Sequence, residues 1–214
     1  MSNSRTSVRR ARLFVIAAPS GAGKTTLVKA LLERNPALRF SISYTTRPRR
    51  KLEVEGRDYF FVTEERFAKL EEEGELLESA RVFDNRYGTG RSQVEAHLAE
   101  GRDVILEIDW QGARQVRQSM PECESVFILP PSLKELERRL RDRRTDSETV
   151  ILRRLKDAIG DISHWSEFDY VIINDDLRKS VLELEAIISG SGDYEDNRTS
   201  RTGMRQRVEE ILAA

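Results

Sequence analysis

The sequence Ala18-Pro19-Ser20-Gly21-Ala22-Gly23-Lys24-Thr25 decides how this chain of 214 residues is interpreted. The stretch before it, Leu13 to Ala17, is a short, continuous apolar run, which is typical of a buried parallel strand. The stretch after it, Thr25 to about Arg34, repeats leucine and valine on one helical face. A strand, a glycine-containing turn and a helix in this order are the context in which a phosphate-binding loop occurs.

The residues of this loop indicate how it would bind phosphate. Gly23, Lys24 and Thr25 match the end of the pattern G-x-x-x-x-G-K-[ST], whereas its first glycine is replaced by Ala18. Gly21 and Gly23 allow successive backbone N–H groups to face phosphate oxygens at the N-terminus of the following helix. Lys24 adds a charge for the β- and γ-phosphates, and the Thr25 hydroxyl can ligate Mg²⁺. The loop predicts binding of a nucleoside triphosphate; the alternative is a glycine-rich turn of a Rossmann-like protein.

Charge and composition restrict the class of protein. The chain has 36 basic and 37 acidic residues, so its charge balance does not point to nucleic acid or a membrane as the main partner. Its single cysteine, Cys123, cannot form an intramolecular disulfide. The apolar stretches are far shorter than the ~20 residues of a membrane span, and residues 1–12 lack the apolar region of a secretory signal. We expect a cytoplasmic protein with small-molecule substrates, and an oligomer is possible.

Strand and helix patterns alternate along most of the chain. Buried strands are expected at Val104–Asp109, Ser125–Leu129 and Tyr170–Ile173. Capping boxes at Ser92–Glu95 and Ser132–Glu135 predict the starts of two helices. This alternation predicts an α/β fold, a parallel sheet with helices on both faces.

One segment, from Phe40 to Phe83, interrupts the alternation. Short strand-like pieces there surround a single helix from about Glu64 to Glu73. Thr63 is a suitable N-cap for this helix, and Gly74 a suitable end. We therefore predict a small mixed α/β insert beside the sheet.

The insert carries residues that suit a second, phosphorylated substrate. Arg47 to Lys51 contain up to four positive charges after the hydroxyls of Ser43–Thr46, and Asp58-Tyr59 and Asn85–Thr89 follow. Arginine forks and tyrosine hydroxyls suit a phosphate monoester. A lone carboxylate such as Glu78 suits guanine, which presents adjacent N–H donors at N1 and N2, whereas adenine does not. Two alternatives without a substrate remain: Arg47–Lys51 could be a solvated basic loop, and Glu78 could be a charged residue on the face of a strand.

These segments, in this order, make the chain resemble the guanylate kinases, a family of P-loop nucleoside monophosphate kinases. The resemblance covers about Leu13 to Ser189. Besides the phosphate loop it is carried by Thr45-Thr46-Arg47, Glu53–Tyr59, Tyr87-Gly88-Thr89, Ile108–Gly112, Leu129–Ser132 and Ile173–Asp176. It implies a flexible tail at 1–11, a single domain at 12–190 with its core at 12–38 and 92–190, a GMP-binding insert at 39–91, a short Arg-rich lid at about 138–155, and a C-terminal tail or short helix at 191–214.

The resemblance also implies roles for individual residues. ATP would be held by the phosphate loop from Ala18 to Thr26, and by Asn174 near its adenine. The phosphate of GMP would be held by Arg47, Arg50, Tyr59 and Tyr87. Guanine would be bound by Glu78 and Thr89, in a pocket lined by Ser43 and Asp109. Catalytic charge would come from Lys24, Arg47 and the arginines of the lid and its flanks, Arg139, Arg143 and Arg154. Mg²⁺ would enter with ATP and bind Thr25.

Three positions depart from the family pattern. The family usually has Arg-x-Pro-Arg-Pro-Gly after the two threonines, whereas this chain has Arg47-Pro48-Arg49-Arg50-Lys51-Leu52. The proline therefore comes one place early and the Pro-Gly turn is absent, so Arg49 is an alternative to Arg50 at the phosphate. Glu107 stands where the family often has aspartate, and Arg144 replaces a glycine of the lid.

The reaction that the resemblance implies is the ATP-dependent phosphorylation of GMP, and of dGMP, in purine nucleotide metabolism. Its nucleophile is a phosphate oxygen that is already ionised near neutral pH, so no strong general base is needed. Two alternatives remain: a non-catalytic guanylate kinase-like interaction module, and a P-loop kinase for another phosphorylated acceptor such as a ribose bisphosphate. The matching loop and arginines count against the first alternative, and the pair of Glu78 and Thr89 counts against the second.

Overall fold

The computed structural model describes residues 10–82, 84–142, 147–191 and 194–213. Its strands are β1 (Leu13–Ala17), β2 (Arg39–Phe40), β3 (Tyr44–Thr45), β4 (Phe60–Phe61), β5 (Leu76–Val82), β6 (Asn85–Gly90), β7 (Val104–Glu107), β8 (Glu124–Leu129) and β9 (Tyr170–Ile173). Its α-helices are α1 (Lys24–Arg34), α2 (Glu64–Glu72), α3 (Arg91–Ala99), α4 (Trp110–Ser119), α5 (Leu133–Asp142), α6 (Glu148–Ile162), α7 (Leu177–Ser189) and α8 (Met204–Ala213). Within these described ranges, no helix has both the length and the apolar character needed to cross a membrane.

The larger of the two sheets has the order β2-β7-β1-β8-β9, and every neighbouring pair in it is parallel. All residues of β1 are buried because both faces of the sheet are covered. On one face Val15 packs in a cluster with Val116 of α4. On the other face Phe14 packs in a cluster with Leu27 of α1 and Leu184 of α7. The predicted parallel sheet with helices on both faces is confirmed.

The smaller sheet has the order β4-β3-β6-β5 and is mixed, since β3 pairs parallel with β4 and antiparallel with β6. Helix α2 begins as expected, because Thr63 Oγ1 accepts the backbone N–H of Arg66 at 3.2 Å. Gly74, with φ 69°, follows its end. The smaller sheet starts later than the predicted insert boundary at residue 39, because Arg39 and Phe40 pair with β7 in the parallel sheet.

Two helix starts differ in how well the sequence predicts them. Ser132 caps α5 as expected, since its Oγ accepts the backbone N–H of Glu135 at 3.1 Å. The capping box at Ser92 is wrong: α3 begins at Arg91 directly after β6, and its N-cap Gly90 offers no side-chain hydrogen bond. Tertiary pairing of β6 thus sets this helix start, and the local pattern does not.

The C-terminal segment packs against the domain. Its residues 195–197 form a 3-10 turn, in which the Asn197 amide donates to the Val171 carbonyl oxygen at 3.1 Å. Met204 of α8 is buried in the same cluster as Val15 of β1. Of the two predicted forms, tail or short helix, residues 204–213 take the helical one.

Candidate active site

The phosphate loop connects β1 to α1 and depends on two glycines with positive φ. The angle is 93° at Gly21 and 96° at Gly23, values that residues with a side chain rarely adopt. Space is also short, because a Cβ atom on Gly23 would lie 2.5 Å from Asn174 Nδ2, and one on Gly21 would lie 2.9 Å from Leu136 Cδ1. Ala18, which replaces the first glycine of the pattern, packs against the apolar cluster around β1. The loop therefore needs its two later glycines and accommodates alanine at the first position.

Lys24 lies where the loop, β7 and α4 come together. Its Nζ donates to the carbonyl oxygen of Ile108 at 2.6 Å. Burial lowers the pKa of Lys24, and the charges of Glu107 and Asp109 oppose that shift. The ammonium group is thus fixed beside two carboxylates at the carboxyl ends of the central strands.

Glu107 is a candidate site residue that the sequence analysis did not include. It is the last residue of β7, the neighbour of β1, and its Oε1 accepts the hydroxyl hydrogen of Thr25 at 2.5 Å. P-loop proteins commonly hold Mg²⁺ with a loop Ser or Thr and a carboxylate from a nearby strand. The signal was present in the sequence, because the predicted strand Val104–Asp109 contains this carboxylate near its end.

Glu78 on β5 and Thr89 on β6 form a buried pair. They lie opposite each other in the antiparallel register, and Thr89 Oγ1 donates to Glu78 Oε1 at 2.7 Å. Glu78 is only 5% exposed. Burial raises the pKa of Glu78 to about 7, with a further contribution from the charge of Asp109, while the hydrogen bond from Thr89 acts in the opposite direction. A Cβ atom on Gly112 would lie 2.8 Å from Glu78 Oε2, so glycine in the first turn of α4 lets this carboxylate approach.

Two cavities share Lys24 as a lining residue. The first, of about 300 Å³, brings together Lys24 with the predicted acceptor residues Ser43, Tyr59, Glu78, Tyr87 and Asp109. The second, of about 450 Å³, is lined by most of the phosphate loop up to Thr26, and by Arg81, Trp110, Gln111 and Asp161. The last four residues were not predicted, because they lie outside the loop pattern. The acceptor cavity and the phosphate-loop cavity therefore adjoin, and Lys24, Val82 and Asp109 line both of them.

The arginine segment lies beside the first cavity, and neither Arg47 nor Arg50 lines it. Arg47 is 5.4 Å from the ring of Tyr59, which in turn lies 5.9 Å from the ring of Tyr87. Its Nη2 donates to Glu53 Oε1 at 2.7 Å. The side chain of Arg50 is exposed, while its backbone N–H donates to Glu53 Oε2 at 2.8 Å. The structure thus places Arg47 next to Tyr59, which lines the cavity, whereas the side chain of Arg50 is exposed.

Behind the loop, Arg139 and Asn174 hold the backbone of Ala22. Arg139 donates to the carbonyl oxygens of Ala22 at 3.3 Å and of Asn174 at 3.0 Å. The buried amide of Asn174 donates to the Ala22 carbonyl oxygen at 2.8 Å. Arg154 lies half-buried on α6, and Arg143 lies outside the described residues. Arg139 and Asn174 therefore support the loop conformation, in addition to the roles that the resemblance implies.

Comparisons with known proteins agree with this geometry. The sequence model of the guanylate kinase family matches residues 10–191. The chain is 57% identical over 176 residues to a guanylate kinase of Methylococcus capsulatus, covering 82% of this chain and 86% of that protein. It is 50% identical over 200 residues to one of Nitrosococcus oceani, covering 94% and 96%. A crystal structure of guanylate kinase from Anaplasma phagocytophilum superposes with a TM-score of 0.70 and 35% identity over 94% of both chains. This chain therefore belongs to the guanylate kinase family.

Proposed function

We propose that this protein transfers the γ-phosphoryl group of ATP to GMP or dGMP, giving ADP and GDP or dGDP, in the purine nucleotide metabolism of the cytoplasm. The observation that carries the proposal is that the acceptor cavity and the phosphate-loop cavity adjoin, with Lys24 and Asp109 lining both. A phosphoryl group can pass between two bound nucleotides only where their phosphates meet.

The donor side is built from the phosphate loop. Backbone N–H groups around Gly21 and Gly23, at the N-terminus of α1, would bind the phosphates of ATP. The Thr25 hydroxyl and the Glu107 carboxylate are neighbouring oxygen ligands of the type that Mg²⁺ prefers, and they would hold it beside these phosphates. When bound, Mg²⁺ supplies neutralisation of charge on the β- and γ-phosphates. Lys24 adds a fixed positive charge at the same place.

The acceptor side is built from the insert. Glu78, once ionised, accepts the N1–H and N2–H of guanine, and Thr89 fixes the position of its carboxylate through their 2.7 Å hydrogen bond. Adenine would be rejected, because its unprotonated N1 is an acceptor and would face the carboxylate, another acceptor, with no N–H donor between them. Ser43 and Asp109 line the same cavity. Arg47 and Tyr59 would hold the phosphate of GMP at the edge of this cavity, with Tyr87 and Arg50.

Transfer then requires positioning and charge, with no proton relay. An ionised oxygen of the GMP phosphate attacks the γ-phosphorus of ATP, the bond from that phosphorus to the β–γ bridging oxygen breaks, and ADP leaves. Arg139, Arg143 and Arg154 would stabilise the charge on the transferred group when the lid and the insert exclude water.

The acceptor preference tests this proposal. In a coupled assay of ADP formation, GMP and dGMP should support turnover, and AMP and a ribose bisphosphate should not. Turnover with the ribose bisphosphate alone would favour a different P-loop kinase. A chain that binds GMP and ATP but turns over none of the acceptors would favour the non-catalytic interaction module.

A further inference from the structure

Glu53 uses both of its carboxylate oxygens on the segment that would hold the acceptor phosphate. Oε1 accepts from Arg47 Nη2 at 2.7 Å, and Oε2 accepts from the backbone N–H of Arg50 at 2.8 Å. The two side chains of the ion pair are mostly buried, with 13% of Arg47 and 17% of Glu53 exposed. This pair is therefore less screened by solvent than the ion pairs of the exposed surface.

The turn that contains Glu53 lacks the residues that usually fix a turn. Residues 50–53 are closed by the backbone N–H of Glu53, which donates to the Arg50 carbonyl oxygen at 3.1 Å. The two central residues, Lys51 and Leu52, are neither proline nor glycine, and Leu52 is 86% exposed. The side chain of Glu53 closes the same turn with a second hydrogen bond, because its Oε2 accepts the backbone N–H of Arg50. Glu53 thus supplies a constraint that the central residues do not provide.

The same carboxylate sets the direction of Arg47. A guanidinium group has five N–H donors in a planar fork. In Arg47, Nη2 donates to Glu53 and Nη1 donates to the Pro48 carbonyl oxygen at 3.0 Å. The group also lies near the rings of Tyr59 and Phe61, at 5.4 Å and 5.8 Å from their centroids. These two hydrogen bonds fix the guanidinium group next to Tyr59, which lines the acceptor cavity.

We propose that Glu53 is a positioning residue for the acceptor phosphate, an inference that rests on the proposed function. It holds the Arg47 side chain and the Arg50 backbone in the arrangement that binds the phosphate of GMP, so that little side-chain freedom is lost when GMP arrives. Glu53 acts through these two residues and touches neither guanine nor ATP.

The kinetic test compares Glu53→Ala with Glu53→Gln and with the matched control Glu55→Ala. Glu55 lies on the same loop, and its carboxylate accepts the backbone N–H of Phe61 at 3.0 Å. Among the residues that the structure describes, it forms no ion pair with an arginine. Glu53→Ala should raise KM for GMP about tenfold, with KM for ATP and kcat nearly unchanged. Glu53→Gln, which keeps an acceptor oxygen for Arg47, should retain part of the affinity, and Glu55→Ala should resemble the parent chain.

A second measurement separates positioning from general damage to the insert. Inhibition constants for guanosine, which has no phosphate, should be the same in the parent chain and in Glu53→Ala. An equal loss for guanosine and GMP would mean that the insert has unfolded and would overturn the proposal. Tighter binding of GMP by Glu53→Ala would also overturn it, because Glu53 would then compete with the phosphate.

Arg47→Ala distinguishes failure of this inference from failure of the proposed function. If Arg47→Ala weakens GMP binding and Glu53→Ala does not, the positioning role of Glu53 is wrong and the acceptor site stands. If Arg47→Ala leaves GMP binding unchanged, the acceptor site itself has been assigned to the wrong residues, and the proposed role of Glu53 is wrong as well.

Discussion

The phosphate loop and the insert would bind the two substrates by different means. In the loop the binding groups are backbone N–H groups, fixed by the positive φ of Gly21 and Gly23 and by the buried strand before them. In the insert they are side chains, fixed by contacts such as Glu78 with Thr89 and Arg47 with Glu53. A site made of backbone depends on a few conformations, whereas a site made of side chains depends on pairs that can be removed one at a time. Substitutions in the two regions should therefore have different effects on turnover and on the KM values for ATP and GMP.

The largest effect is expected from Lys24→Ala, which removes the charge shared by the two cavities. Turnover in the coupled assay should fall by about 10³-fold or more, since a fixed charge at the transferred group acts mainly on the transition state. The thermal unfolding midpoint should change little, and the exposed Lys29→Ala on the same helix should remain active. Near-normal turnover of Lys24→Ala would exclude this loop as the catalytic phosphate site.

The next effect concerns the insert, where Glu78→Ala removes the proposed acceptor for guanine. We expect KM for GMP to rise by about 10²-fold while KM for ATP changes little, because two hydrogen bonds to a buried charge are lost on one substrate only. Glu75→Ala, an exposed carboxylate just before the same strand, is the matched control. Equal losses for both nucleotides would remove Glu78 from the guanine pocket and weaken the distinction between the two regions.

A smaller effect is expected when the backbone of the loop is disturbed. Gly23→Ala places a Cβ atom 2.5 Å from Asn174 Nδ2 in a conformation with φ 96°. Strain of about 2 kcal/mol would reduce kcat/KM for ATP roughly 30-fold. Gly160→Ala is the control, because a Cβ atom there meets nothing within 4 Å inside helix α6, and it should be neutral or stabilising. Similar affinities for ATP in both variants would show that the loop adapts more than its geometry suggests.

The sequence predicts those parts of the molecule that depend on local patterns, and it does not predict those that depend on contacts between distant residues. The fold follows from local patterns, since β1 is an unbroken apolar run and α2 carries its own cap at Thr63. The sheet to which β2 belongs could not be predicted, because its two residues pair with β7, far along the chain. The contact of Asn174 with Ala22 spans 152 positions and likewise has no local signal. The motifs located the candidate site, and the roles of its individual residues stay predictions.

The smallest effect is a pH dependence that arises in the insert and not in the loop. Burial raises the pKa of Glu78 to about 7 from an ordinary value of 4.5. Between these values the folded protein holds a proton that the unfolded chain has released, so this group's contribution to stability decreases as the pH rises and is fully lost above pH 7. In the proposed function GMP binds the ionised form, so kcat/KM for GMP should rise about tenfold between pH 6 and pH 8.

Glu78→Gln separates this effect from the ionisation of the GMP phosphate, which both proteins share. The difference between the two pH profiles isolates the carboxylate of Glu78, and the variant should lack the rise that this group causes. Without ligand, Glu78→Gln should unfold at a higher temperature than the parent chain at pH 8, with a smaller difference at pH 5. Burial of this carboxylate, which the proposed function uses to select guanine, would thus destabilise the empty pocket. Parallel pH profiles for the two proteins would show that Glu78 is already ionised at pH 6 and would remove this asymmetry between the two regions.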